Sequence, residues 1–201
     1  MIAVLDYGIG NLRSAQKALE HVGAEAVLTD DAAVVEQADA VVLPGVGAFG
    51  RCMAALRDAG LEQPARQAIE AGTPFLGICI GMQMLYEGSE EDPGVAGMGV
   101  LAGTVRRLPD GVKRPQMQWN RLAVRRTAGA TAMFDGLDDG SWMYFVHSYA
   151  PSVDGEAVAA TCEYGGPVTA AVVRDRLWAT QFHPEKSGAN GLRLLANFLA
   201  A

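Results

Sequence analysis

The chain is poor in cysteine and histidine, carries no excess of positive charge and contains no long apolar run. Of its 201 residues only Cys52, Cys79 and Cys162 are cysteines. They show no CxxC spacing and cannot all pair, which points to a reducing, cytoplasmic setting. The 16 Lys and Arg against 23 Asp and Glu leave a net charge of −7. With no basic stripe either, non-specific nucleic-acid binding is not expected. Nothing approaches the ~20 apolar residues of a membrane-spanning helix. Met1-Ile2-Ala3-Val4-Leu5-Asp6 lacks the basic and long apolar regions of a signal peptide. There is no internal repeat, low-complexity tract or long linker, so one domain over residues 1–201 is expected. What is plentiful is apolar: hydrophobic residues make up 50% of the chain, enough for a substantial core.

In the first half, short apolar runs alternate with helical spacing. Ile2–Asp6, Ala24–Thr29, Ala40–Leu43 and Pro74–Ile78 read as strands, and Asn11–Val22, Phe49–Leu56 and Leu61–Ala71 as helices. Such βαβ units build a parallel sheet covered on both faces. The second half is strand-like over Val100–Leu108, Leu122–Arg126, Trp142–His147, Ala157–Thr161, Val168–Val173 and Leu177–Gln181, with a closing helix over Gly191–Ala200. Divided by Gly, Pro and Asp, these runs predict antiparallel hairpins added to the parallel sheet. The expected fold is therefore α/β: a mixed sheet with a parallel centre, helices on both faces and an antiparallel extension. Glu87–Gly94 reads as an acidic surface loop and a candidate substrate-binding segment.

The chemistry concentrates at Phe75-Leu76-Gly77-Ile78-Cys79-Ile80-Gly81-Met82-Gln83. A buried-strand run meets a cysteine with glycines two before and two after, and a helical segment follows. This is the pattern of a strand-to-helix elbow, whose glycines relieve clashes while the turn lifts the nucleophile clear of the sheet. The N–H of Ile80 would face the reacting carbonyl, and a helix N-terminus favours thiolate. A cysteine nucleophile needs a base, and the base an orienting group. Of the three histidines, His21 sits inside a predicted helix. His183 lies in Thr180-Gln181-Phe182-His183-Pro184-Glu185, after a strand, with Pro184 fixing the turn and Glu185 placed to hold the imidazole tautomer. His147, in Tyr144-Phe145-Val146-His147-Ser148-Tyr149, is the rival base, with no acid two residues on.

Cys79, His183 and Glu185 thus form a candidate triad at strand ends, where open α/β sheets bind ligands. Pro44-Gly45-Val46-Gly47 reads either as a plain βα loop or as the source, at Val46 or Gly47, of a second oxyanion N–H beside that of Ile80. Gly8-Ile9-Gly10-Asn11 lacks the third glycine of a dinucleotide fingerprint and reads as a turn and helix cap at Asn11. No cofactor or metal is expected.

Gly77-Ile78-Cys79-Ile80-Gly81 with His183-Pro184-Glu185 resembles the class I (triad) glutamine amidotransferases. Five segments narrow the similarity, over nearly the whole chain, to the glutaminase subunits of imidazole glycerol phosphate synthase. These are Asp6–Leu12, Leu43–Gly50, Gly81–Gln83, Tyr144–Tyr149 and Gln181–Ser187. The resemblance implies that Cys79 attacks the side-chain amide carbon of glutamine. His183 would take the thiol proton and pass it to departing ammonia, with Glu185 orienting the ring, and water would release glutamate from a thioester.

It further implies a glutamine pocket formed by Gln83, Glu91, Ser148 and Tyr149, with Glu90 a rival to Glu91. The implied partner is a (β/α)8 cyclase subunit, HisF, which would use the ammonia to form imidazole glycerol phosphate and AICAR. Asn11, Trp119, Asn120, Tyr144 and Lys186 match positions near that interface. The subunit of another ammonia-channelling synthase, or a non-catalytic regulatory subunit, are the alternatives. One departure stands out: Pro115-Gln116-Met117-Gln118-Trp119-Asn120 replaces the usual Pro-His-Met-Gly-Trp-Asn. The histidine is lost, and Gln118 stands where glycine would tolerate positive φ.

Overall fold

The computed structural model describes residues 1–125 and 127–201. Its first half alternates β1 (Ile2–Leu5), α1 (Leu12–His21), β2 (Ala26–Thr29), α2 (Ala32–Glu36), β3 (Ala40–Gly45), α3 (Phe49–Asp58), α4 (Glu62–Glu70), β4 (Phe75–Cys79) and α5 (Ile80–Met84). Strands β1 to β4 lie parallel in the order β2-β1-β3-β4. Every residue of β1, β3 and β4 is buried, because helices cover both faces, and this is why they read as continuous apolar runs. The step from β1 to β2 runs opposite to the steps from β2 to β3 and from β3 to β4. Right-handed crossovers therefore put α1 on one face and α2, α3 and α4 on the other.

The second half contains β5 (Gly88–Ser89), β6 (Thr104–Arg107), β7 (Gln116–Arg121), β8 (Ala123–Val124), α6 (Ala128–Met133), β9 (Trp142–His147), β10 (Tyr149–Pro151), β11 (Val158–Glu163), β12 (Pro167–Arg174) and β13 (Leu177–Thr180). A 3-10 turn over Pro184–Lys186 leads into α7 (Gly188–Leu199), which packs beside α1. β13 pairs parallel with β4, and β12, β11 and β8 extend the sheet antiparallel, giving eight strands in the order β2-β1-β3-β4-β13-β12-β11-β8. The mixed sheet with a parallel centre is as expected.

Two expected additions to it are not there. The run Val100–Leu108 contributes β6 to a separate three-stranded sheet with β10 and β5, and Trp142–His147 forms β9 of a two-stranded ribbon with β7. The reason lies in the alternation along β9. Met143, Phe145 and His147 are buried while Trp142, Tyr144 and Val146 lie on the other, more open face. Large residues on that outer face disguise a one-sided ribbon as a core strand. Its partner β7, polar and alternating, carries no such apolar run. The expected strand over Leu122–Arg126 appears as β8, with Arg126 itself outside the described residues.

Candidate active site

Cys79 closes β4 and opens α5 with φ 57° and ψ −109°, a region a side-chain-bearing residue enters at a cost of about 1–3 kcal/mol. The turn is held because α5 lies directly against β3. A Cβ at Gly81 would sit 1.8 Å from the Leu43 carbonyl oxygen, and one at Gly77 would sit 3.0 Å from that of Gly81. The Gly-x-Cys-x-Gly spacing is thus a demand of backbone approach, and it leaves the thiol at the carboxyl edge of the sheet.

Parallel pairing of β13 with β4, Thr180 opposite Ile78, carries the chain after β13 to the same edge. There the His183 N–H donates to the Tyr144 carbonyl at 2.9 Å, and Ser187 Oγ donates to the His183 carbonyl at 2.6 Å. The ring is fixed through Nδ1, which donates to Glu185 Oε1 at 2.8 Å, both side chains being almost wholly buried. That bond leaves Nε2 for the thiol or the leaving group. Burial alone pushes the imidazole down. Hydrogen bonding and charge from Cys79 and Glu185 outweigh it and raise the group to about 10, so His183 holds a proton more readily than a free imidazole.

These groups open on a cavity of about 410 Å³, of the size that holds a small metabolite. Its wall includes Cys79, His183, Val46, Gly47, Ile80, Gln83, Glu91, Ser148, Tyr149, Asn11 and Lys186. Glu91 rather than Glu90 faces it. Glu91 Oε2 also accepts from the Phe49 N–H at 2.8 Å, while Glu90 Oε2 is turned to the Arg107 N–H at 3.0 Å. Glu91 and Asp92, which accepts from the Gly50 N–H at 2.8 Å, together cap α3, whose own N-cap Ala48 offers no side chain for the task.

Behind the Val46–Gly47 part of the wall, the Tyr7 hydroxyl donates to the Pro44 carbonyl at 2.6 Å, and the Cys52 thiol lies 3.4 Å from the Val46 carbonyl. Both bonds tether the Pro44–Gly47 turn. Asn11 occupies the N-cap of α1 but makes no side-chain capping bond, contrary to the capping role expected of it; it is among the residues lining the cavity.

A family model described as glutamine amidotransferase class-I matches residues 3–201. The chain belongs to that family. It is 50% identical, over 98% of both chains, to a protein of Syntrophotalea carbinolica named imidazole glycerol phosphate synthase subunit HisH. It is 47% identical to the protein of the same name from Methanothermobacter thermautotrophicus, over 99% of this chain and 98% of that one. Among solved structures, PurLQS from Thermotoga maritima superposes with a TM-score of 0.78 at 21% identity, over 99% of this chain and 97% of that one, which is a likeness of fold.

In this glutamine amidotransferase the rival base is disqualified by its surroundings. His147 Nδ1 lies 2.9 Å from the Tyr149 carbonyl oxygen and Nε2 3.0 Å from Gln116 Oε1, two acceptors of which the single N–H of a neutral ring can serve one. Burial pushes His147 down to about 4, so it is neutral, with polar groups already set against both ring nitrogens. Gln116 is wholly buried and its side-chain amide also reaches Cys162 Sγ at 3.8 Å. Gln118 needs no positive φ: it sits in β7 opposite Phe145, and the positive-φ residues other than glycine among those described are Cys79 and Asp175.

The ribbon of β7 and β9 puts Met117, Trp119 and Arg121 on one face with their partners Val146, Tyr144 and Trp142. Met117 is 62% exposed, Trp119 47% and Trp142 48%. Trp119 packs edge-on against Tyr144, and the Arg121 guanidinium lies over the Trp142 ring. Asn120 is not part of this face; its side chain donates to the Glu163 carbonyl at 2.9 Å.

The surroundings of Cys79 also contain a residue that sequence reasoning missed. Gln181, wholly buried, bridges Gln83 and the Cys79 sulfur. The available signal was a long polar side chain at the end of an otherwise apolar strand.

Proposed function

We propose that this chain is the glutaminase subunit of an imidazole glycerol phosphate synthase, with residues 1–201 acting as one catalytic domain in the cytoplasm. The observation that carries the reading is the Cys79–His183–Glu185 arrangement on a strained elbow, opening into a small cavity. Glutamine enters with its side-chain amide carbon toward Cys79 Sγ. The Gln83 Oε1 atom, buried without a partner, and the Glu91 carboxylate suit its ammonium group. Ser148 and Tyr149 complete the pocket, and N–H groups at Ile80 and at Val46 or Gly47 stabilise the oxyanion. His183 accepts the thiol proton and returns it to the departing amine, Glu185 holding its orientation. Water then cleaves the thioester to glutamate.

The ammonia passes to a partner, for which the HisF cyclase is the candidate. The apolar outer face of the β7–β9 ribbon supports the partner reading, with Trp119 and Tyr144 in that face and Asn11 and Lys186 at the cavity wall. Among the described residues no helix is long and apolar enough to cross a membrane. The test is Cys79→Ala in the complex purified with whatever the chain binds. Glutamine-dependent synthesis should vanish while synthesis from added ammonium salt persists. Surviving glutaminase activity would refute the nucleophile, and a partner other than a (β/α)8 cyclase would refute the pathway.

A further inference from the structure

We propose that Gln181 is a further working residue of this site: its side-chain N–H donates to the Cys79 sulfur and stabilises the thiolate. The inference rests on the reading of Cys79 as nucleophile. Gln181 follows β13 with its N–H bonded to the Ala170 carbonyl at 2.8 Å, and its side chain is wholly buried. Gln181 Nε2 lies 3.6 Å from Cys79 Sγ. The other end of the amide, Oε1, accepts from Gln83 Nε2 at 3.0 Å, and Gln83 Nε2 also donates to the Tyr149 carbonyl at 2.9 Å.

The direction of this relay is determined by one group. A backbone carbonyl can only accept, so the NH2 of Gln83 must face Tyr149. Its second N–H then needs an acceptor, which makes the nearer atom of Gln181 the oxygen and turns the Gln181 NH2 to the sulfur. In the resting thiol, Cys79 Sγ lies 3.8 Å from the Val146 carbonyl, which can accept the S–H, while the sulfur lone pairs receive the Gln181 N–H.

When the thiol proton moves to His183, a largely buried sulfur gains a full charge. A fixed amide N–H is then a charge-assisted donor, stronger to the anion than to the neutral thiol. Because the relay holds the amide before reaction, little reorganisation is needed when the charge forms.

The test is the pH profile of Cys79 alkylation by iodoacetamide, located by peptide mass spectrometry and read beside glutaminase kcat and KM in the partner-bound enzyme. Gln181→Met removes both amide functions at similar volume. Gln181→Asn keeps the amide but draws it back by one methylene, and decides the matter if the Met variant does not fold. The alkylation profile should move to higher pH by about one unit in Gln181→Met and by less in Gln181→Asn. In both, kcat should fall, by about tenfold or more in Gln181→Met, with KM changed less than about threefold. A folded variant whose profile matches the wild type, or whose loss lies in KM alone, overturns the proposal. Alkylation of the wild type separates the two readings. If glutaminase survives it, Cys79 is not the nucleophile; if it is abolished while the variants' profiles stay put, only the role of Gln181 fails.

Discussion

His183 and His147 both line the cavity beside Cys79, and burial pushes each imidazole toward its neutral form. They nevertheless end on opposite sides of neutrality. His183, in the loop after β13, meets Cys79 and the Glu185 carboxylate and rises to about 10. His147, at the end of β9, meets a carbonyl and a neutral amide, with the positive charge of His183 as an added discouragement, and falls to about 4. Desolvation is common to the two regions; an ionised partner is not, and that partner decides which ring holds its proton near neutral pH.

The sharpest break of this comparison is to remove each ring in turn. His183→Gln should lower glutaminase kcat by about 10³-fold, within the span expected of a general acid–base. His147→Gln should cost no more than about tenfold in a glutamate-release assay. Equal losses would end the distinction.

Glu185→Gln comes next, with an expected kcat loss of about 10²-fold and a change of pH profile. The carboxylate raises His183, so its removal lowers that group, and the imidazolium proposed to protonate the departing amide nitrogen disappears at lower pH. The alkaline limb of kcat should therefore move down in pH, and an unmoved limb would deny Glu185 its electrostatic share.

A smaller effect separates the histidines in stability. His147 is depressed from 6.5 to about 4, so its contribution is present above pH 6.5 and lost as pH falls through about 4. His183 is raised from 6.5 to about 10, so its contribution is present below pH 6.5 and lost as pH rises through about 10. Urea midpoints should fall between pH 6 and 4, with a shallower slope in His147→Gln and a nearly unchanged slope in His183→Gln. The smallest effect on the chain itself is expected from Trp119→Ala. It should shift unfolding by no more than about 0.5 kcal/mol yet weaken partner binding by about tenfold or more, measured by calorimetry with the co-purifying protein.

Much of the fold was legible because buried parallel strands and their helices write continuous and 3.6-periodic apolar patterns, as Val41-Val42-Leu43 and Phe75-Leu76 do. The ribbon was not, since Trp142, Tyr144 and Val146 look like core residues until β9 is seen to have an open face. The elbow was legible through its glycines. The capping of α3 by Glu91 and Asp92 was not, because its donors and acceptors are 42 residues apart.

The sequence by itself determined the chemistry at hand: a cysteine on a Gly-x-Cys-x-Gly turn and a His-Pro-Glu segment whose spacing allows the acid to hold the ring. These are local facts, encoded by steric needs within a few residues. Only the tertiary structure decided that Glu91 faces the cavity, that His147 is spent in a neutral network, and that Gln181 reaches the sulfur through the register of β13 beside β4. Those outcomes depend on groups brought together across long stretches of chain, where burial and the partner each group meets fix charge and direction.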